Sequence, residues 1–112
     1  MIAINSITKE TYQLIEVSGE VDASTSIELD NALKRSAESA SNILIDLSSL
    51  DYISSAGLGV FISYLEELKS RDIKLVIFGL QDKVLEVFQI LGLQHIMKIV
   101  ESENDALELI NE

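Results

Sequence analysis

Two apolar runs, Ile43-Leu44-Ile45-Asp46-Leu47 and Ile73 to Phe78, flank a stretch whose apolar residues recur at helical spacing. A short run with one polar residue is the pattern of a strand covered by helices, and the change of period between two such runs describes a strand–helix–strand crossover. Leu58, Phe61 or Ile62, Leu65 and Leu68 mark the apolar side of the intervening helix, and Ser63, Glu66, Glu67 and Lys69 supply its wet side. Such a unit commits the chain to a parallel sheet with helices packed against it.

The remaining segments extend this unit. Ile2 to Ile7 and Thr11 to Ser18 read as strands joined by a polar turn at Thr8-Lys9-Glu10, close enough to pair as a hairpin. After Gly19, the apolar residues Ile27, Leu29, Leu33, Ala37 and Ala40 predict a helix over about 24–39, with Thr25 and Glu28 forming a capping box and Asp22 competing as the cap. Asp82 is expected to cap a third helix carrying Val84, Leu85, Phe88 and Leu91, stopped at Gly92 by a left-handed residue. A short strand over Ile96 to Val100 follows, and Ser102 opens a terminal helix with Ala106, Leu107 and Ile110. The order β-β-α-β-α-β-α-β-α predicts an α/β domain with a mixed, mostly parallel sheet of about five strands and about four helices. Strands added in one direction place the crossover helices largely on one face, whereas a reversal makes a doubly wound sheet with a switch-point cleft; spacing alone leaves both open.

Composition removes several functional classes. The 112 residues, 47% of them apolar, suit one domain with one core. No apolar run approaches the ~20 residues that span a bilayer, and Met1-Ile2-Ala3-Ile4-Asn5 lacks the basic start of a secretory signal, so a soluble, cytoplasmic protein without membrane insertion is expected. The chain has no cysteine and one histidine, which excludes thiol chemistry and restricts metal and acid–base chemistry; no cofactor and no metal are expected. Nineteen acidic and eight basic side chains give a net charge of −11, which opposes direct binding to a nucleic-acid backbone. The acidity serves solubility or complements a protein partner with a basic face.

The chemistry concentrates in Ser54-Ser55-Ala56-Gly57-Leu58-Gly59, which lies between a strand-like run and the amphipathic helix. Unpaired backbone N–H groups and the positive end of the helix dipole gather at such a point, and a phosphate is tolerated there. On local pattern alone Ser54 and Ser55 are helix caps, Gly57 and Gly59 permit close packing of the helix start, Asp22 and Asp82 are caps, and Asp46 stabilises a strand-to-helix turn. His95 falls in a loop with no catalytic team, and the Gly-x-Ser-x-Gly elbow of a hydrolase is absent. A non-enzymatic binding role follows.

Three segments carry a family resemblance: Gly19-Glu20-Val21-Asp22, then Ile45-Asp46-Leu47 with Tyr52-Ile53-Ser54-Ser55-Ala56-Gly57-Leu58-Gly59-Val60, then Val87-Phe88-Gln89-Ile90-Leu91-Gly92-Leu93. In this order the chain resembles a STAS-domain anti-sigma factor antagonist over essentially its whole length, a single domain over 1–112. The resemblance implies a protein that binds an anti-sigma factor acting also as an ATP-dependent serine kinase, and so frees the sigma factor. Phosphorylation of one serine would break that binding, and a metal-dependent serine phosphatase would restore it. The family pattern Asp-Ser-Ser/Thr-Gly-Leu-Gly aligns with Ser54 to Gly59, making Ser55 the phosphoacceptor and Ser54 the alternative. Here Ser54 replaces the acidic residue before the acceptor and Ala56 replaces the hydroxyl after it. The same resemblance assigns Glu20, Asp22, Ser54, Ser55, Ala56 and Gly57 to the partner-binding surface. Other readings are a STAS module in a non-sigma signalling or transporter-associated complex, and a small-ligand-binding α/β domain.

Overall fold

The computed structural model describes residues 2–39 and 41–111; the predicted part of Ala40 in the first apolar stripe lies outside them. The elements are β1 (Ile2–Thr8), β2 (Tyr12–Val21), α1 (Ser26–Glu38), β3 (Asn42–Asp46), β4 (Leu50–Ile53), α2 (Ser55–Ser70), β5 (Leu75–Phe78), α3 (Asp82–Ile90), a 3-10 turn (Leu93–His95), β6 (Lys98–Val100) and α4 (Glu103–Ile110). The sheet runs β1-β2-β3-β5-β6, with β4 paired to β2 off this path. Only β1 and β2 are antiparallel.

This order adds strands in one direction, and the core divides as that topology requires. Along β3, Ile43 and Ile45 face a large core with Leu29 and Leu33 of α1, Phe61 and Leu68 of α2, and Val84 and Phe88 of α3. Leu44 between them points the other way, with Leu14, Val76 and Phe78, against Ala106 and Ile110 of α4. The alternation follows from the two-residue period of a strand. A sheet covered on both faces explains why β3 is apolar at successive positions. Two bonds lock α2 to α1: Tyr64 Oη donates to the Asp30 carbonyl at 3.2 Å, and Arg71 Nη2 donates to the Ala37 carbonyl at 2.7 Å. On the opposite face, Tyr12 Oη donates to Glu103 Oε2 at 2.9 Å and joins the start of β2 to α4.

Several local expectations change. A sixth strand, β4, lies where a loop was expected: β3 pairs with β2 only over Tyr12 to Glu16, and β4 takes up the open edge from Gly19 to Val21. Asp46 accordingly shapes a strand-to-strand turn, its Oδ1 accepting from Ser48 N–H at 2.9 Å and Ser48 Oγ at 2.7 Å. The helix expected from Leu58 begins at Ser55, because capping rather than apolar period sets its start. Asp82 is the first residue of α3 and not its cap; no side-chain capping bond closes that end, and its charge sits in the first turn. The expected strands from Ile73 and Ile96 shorten to start at Leu75 and Lys98. Two helix boundaries agree with the reading: Gly92 after α3 has φ of 71°, and at the start of α4 Ser102 Oγ accepts from Asp105 N–H at 3.1 Å.

Candidate functional site

The C-terminal ends of β2 and β4 lie side by side and set the start of α2. Glu20 is opposite Tyr52 and Val21 opposite Ile53, and Ser54 N–H donates to the Val21 carbonyl at 2.8 Å. Ser54 has extended backbone at the helix cap, its Oγ accepting from Gly57 N–H at 3.3 Å and its carbonyl from Leu58 N–H at 3.0 Å. One residue thus joins strand to strand and strand to helix.

Directly beneath the first turn, Gly57 is buried. A Cβ there would lie 2.7 Å from Val21 Cγ1 and 2.8 Å from Ile53 Cγ1, so the helix start rests on the strand ends at glycine distance. Gly59, given the same packing role from sequence, has no atom within 4 Å of a Cβ position. Packing therefore explains Gly57 and not Gly59.

The two serines divide their roles. Ser54 is half-buried and its hydroxyl is engaged in capping, whereas Ser55 and Ala56 are exposed. The Ser55 hydroxyl makes no hydrogen bond to a described residue. The first turn of α2 carries no acidic residue, while Glu28, Asp82, and Glu103 with Asp105 occupy the first turns of α1, α3 and α4. The positive end of the α2 dipole is therefore not offset by a carboxylate of its own first turn.

Asp22 organises the adjoining loop. Its Oδ1 accepts from Ser24 Oγ at 2.8 Å, Thr25 N–H at 2.9 Å and Ser24 N–H at 3.0 Å, with Thr25 Oγ1 also at 3.0 Å. In return Asp22 N–H donates to Thr25 Oγ1 at 2.8 Å. This reciprocal pair replaces the box expected between Thr25 and Glu28; the Thr25 side chain faces back toward Asp22 instead of capping the helix ahead. The Ser24 hydroxyl, then the Thr25 amide and hydroxyl, hold the Asp22 carboxyl down to about 2 from the usual 3.8. Glu20 is exposed on the same edge.

One exposed side chain of this edge, Tyr52 at 52%, was not singled out as a site candidate from sequence. Its signal was an aromatic residue just before a hydroxyl-rich helix start, inside a four-residue strand too short to recognise. Asp51 beside it forms a long ion pair with Lys83 of α3 at 3.8 Å, both side chains exposed. His95 lies exposed in the 3-10 turn after α3. Among the described residues no cluster of three or more His, Cys, Asp or Glu is placed to hold a metal, and no helix is long and apolar enough to cross a membrane.

Comparison with known proteins agrees with this architecture. The STAS domain family model matches residues 3–106. The anti-sigma-B factor antagonist of Listeria monocytogenes is 38% identical over 92 residues, covering 81% of this chain and 81% of its own. The chain belongs to the STAS-domain family and, within it, to the anti-sigma factor antagonists. Among solved structures, an anti-sigma factor antagonist from Mycobacterium paratuberculosis has the same fold, with a TM-score of 0.91 at 20% identity over 100% of this chain and 96% of that one. The phosphorylated form of the Bacillus cell fate determinant SpoIIAA has a TM-score of 0.72 at 18% identity, over 96% of this chain and 99% of its own.

Proposed function

We propose that this chain is a phospho-switchable anti-anti-sigma factor: with Ser55 unmodified it binds an anti-sigma factor that is also a serine kinase, and the sigma factor is released. The observation that carries the reading is the division of roles at the α2 start, where Ser54 caps the helix and Ser55 presents an exposed hydroxyl outside the bonds that hold the fold. In the switching step the Ser55 oxygen attacks the γ-phosphorus of ATP, the bond to the ADP oxygen breaks, and the serine proton passes to a base of the kinase. The product carries roughly −1.5 to −2 charges at neutral pH. Placed on the edge shared by Glu20, Asp22, Tyr52, Ser54 and Ala56, that charge opposes burial against a partner that has evolved to meet a neutral hydroxyl. A metal-dependent serine phosphatase would remove it. The named relatives support the sigma-factor output, and the recorded phosphorylated form of SpoIIAA supports a fold that tolerates the modification.

Parallel affinity capture from native cytoplasm with wild type and Ser55→Asp identifies the partner and tests the switch. Wild type and Ser55→Ala should both retain an anti-sigma factor, and Ser55→Asp should lose it. With ATP the captured kinase should add one phosphate, located by intact mass and peptide mapping at Ser55. Modification that persists in Ser55→Ala and maps to Ser54 would shift the acceptor, and a captured assembly containing no anti-sigma factor would remove the proposed output.

A further inference from the structure

At the far end of α2 from Ser54 and Ser55 lies an open groove of ≈ 1090 Å³. It exists because the edge strand is short. β6 pairs with β5 only over Val76, Ile77 and Phe78, so Leu75 has no neighbouring strand on that side. Leu65 of α2, Ile73 and Leu75 before and within β5, Ile96 before β6, and Leu109 of α4 form an apolar floor. Ile96 remains 57% exposed there, an isoleucine with no covering element.

The rim gathers Lys69, Lys74 and Lys98, three of the chain's eight basic side chains, together with Glu66 and Asp72. Lys74 is engaged by the fold, its Nζ donating to the Leu109 carbonyl at 3.0 Å near the end of α4. Lys69 and Lys98 are exposed and form no ion pair with a described residue. In a chain of net charge −11, two ammonium groups with no ion pair to a described residue, beside an aliphatic floor that surfaces at exposed Ile96 and half-buried Leu65 and Leu109, select a ligand with an anionic head and an apolar body.

We propose that this groove binds a long-chain carboxylate, its alkyl chain over Leu65, Leu75 and Ile96 and its head at Lys69 and Lys98. The dimensions favour a small molecule over a protein partner: twelve residues line the groove, against ~20–30 from each side of a stable protein interface. Among the described residues no aromatic side chain lines it, which leaves a nucleobase or flavin without a stacking surface, whereas an alkyl chain needs none. The site is separate from the Ser55 edge, so its success or failure is independent of the phosphorylation reading.

Dodecanoate below its micellar concentration, titrated into the isotope-labelled intact chain and followed by amide chemical shifts, tests the proposal. Saturable shifts are expected at Leu65, Leu75, Ile96, Lys98 and Leu109, with Ser54 and Ser55 unmoved. The double variant Lys69→Gln/Lys98→Gln should weaken dodecanoate about threefold to tenfold while dodecanol binds as to wild type, and Ile96→Ser should weaken both. All three positions are exposed, and circular dichroism verifies that the variants fold. Shifts that are absent, unsaturable or centred elsewhere overturn the proposal, as does unchanged dodecanoate affinity in the double variant. Occupation of the groove by an acidic, leucine-bearing peptide but not by dodecanoate would overturn it in favour of a protein partner.

Discussion

Adding one methyl group at Gly57 or at Gly59 should have opposite effects two residues apart on the same helix. Both substitutions gain helix propensity, about 1 kcal/mol for glycine to alanine in a helix interior. At Gly59 nothing opposes the gain, because no atom lies within 4 Å of the new carbon. At Gly57 the new carbon meets Val21 Cγ1 at 2.7 Å and Ile53 Cγ1 at 2.8 Å, about 1 Å inside ordinary carbon–carbon contact. Neither neighbour can swing away easily, since Val21 and Ile53 are β-branched and buried, at 0% and 5% exposure. Overpacking of this kind costs about 1–3 kcal/mol, and with a further contact to Ile53 Cδ1 at 3.2 Å we expect the upper half of that range. The net expectation is a loss of about 1–2 kcal/mol for Gly57→Ala and a gain of up to about 1 kcal/mol for Gly59→Ala. Thermal melts should show shifts of about −4 to −10 °C and up to about +5 °C, respectively. Urea unfolding provides the second measurement, with the m-value unchanged if both variants keep the fold. A Gly57→Ala protein that melts at or above wild type would refute the close seating of α2 on the strand ends.

Ser54→Ala should cost about 1 kcal/mol through loss of the cap at Gly57 N–H while leaving Ser55 open to modification, read by urea unfolding and by mass spectrometry after kinase treatment. Asp22 sets an acid dependence: its folded-state value of about 2 lies below the usual 3.8, so its contribution is present above about pH 4 and is lost as pH falls toward 2. The difference in stability between wild type and Asp22→Asn should narrow across that window, and a constant difference would remove the assigned hydrogen-bond set as its cause. Glu20→Lys and Asp22→Lys should slow association with a basic partner and reduce its salt dependence, with Glu66→Lys on the wet side of α2 as control; stopped-flow rates across ionic strengths measure this. Asp22→Lys must be read against its own melting temperature, because it also loses the loop bonds.

What could be read from sequence was whatever a single segment decides for itself. Ile43 to Leu47 is apolar at successive positions because both faces of β3 are covered, and that reads directly as a buried strand. Gly92 and Ser102 end and begin helices through local backbone and capping geometry, so their roles were equally plain. β4 was not legible. Its two exposed residues, Asp51 and Tyr52, are flanked by buried Leu50 and Ile53, a pattern too short to carry a period. It is a strand because β2 outruns β3 and leaves an edge, a fact of tertiary pairing. The Thr25–Glu28 box and a cap at Asp22 were rival readings of one helix start, and the reciprocal bonds between Asp22 and Thr25, just past the end of β2, decide for Asp22. Ser54 and Ser55 were likewise equivalent as hydroxyls at a helix start. The bond from Ser54 N–H to the Val21 carbonyl ends the strand pairing at Ser54, and its Oγ accepts from Gly57 N–H, so Ser54 is the cap and Ser55 is left outside it.

The proposed switch needs a charge that disturbs binding more than folding, and magnitudes favour that outcome here. The bonds at the α2 start run through Ser54 N–H, Ser54 Oγ and the Ser54 carbonyl, so a phosphate on Ser55 deletes none of them. Two unit charges about 6 Å apart in water repel by roughly 0.7 kcal/mol, so a carboxylate that near would cost a dianion about 1.4 kcal/mol before screening. Favourable interaction with the α2 dipole is typically 0.3–1 kcal/mol and offsets much of it. Taking the same dianion out of water against an unmatched surface costs several kcal/mol, with no compensating bond. Ser55→Asp, with half the charge, should therefore melt within a few degrees of wild type while its capture of the anti-sigma factor falls by about tenfold or more. Equal losses of stability and binding would show Ser55 acting through the fold, and the division of roles between the two serines would fail with it.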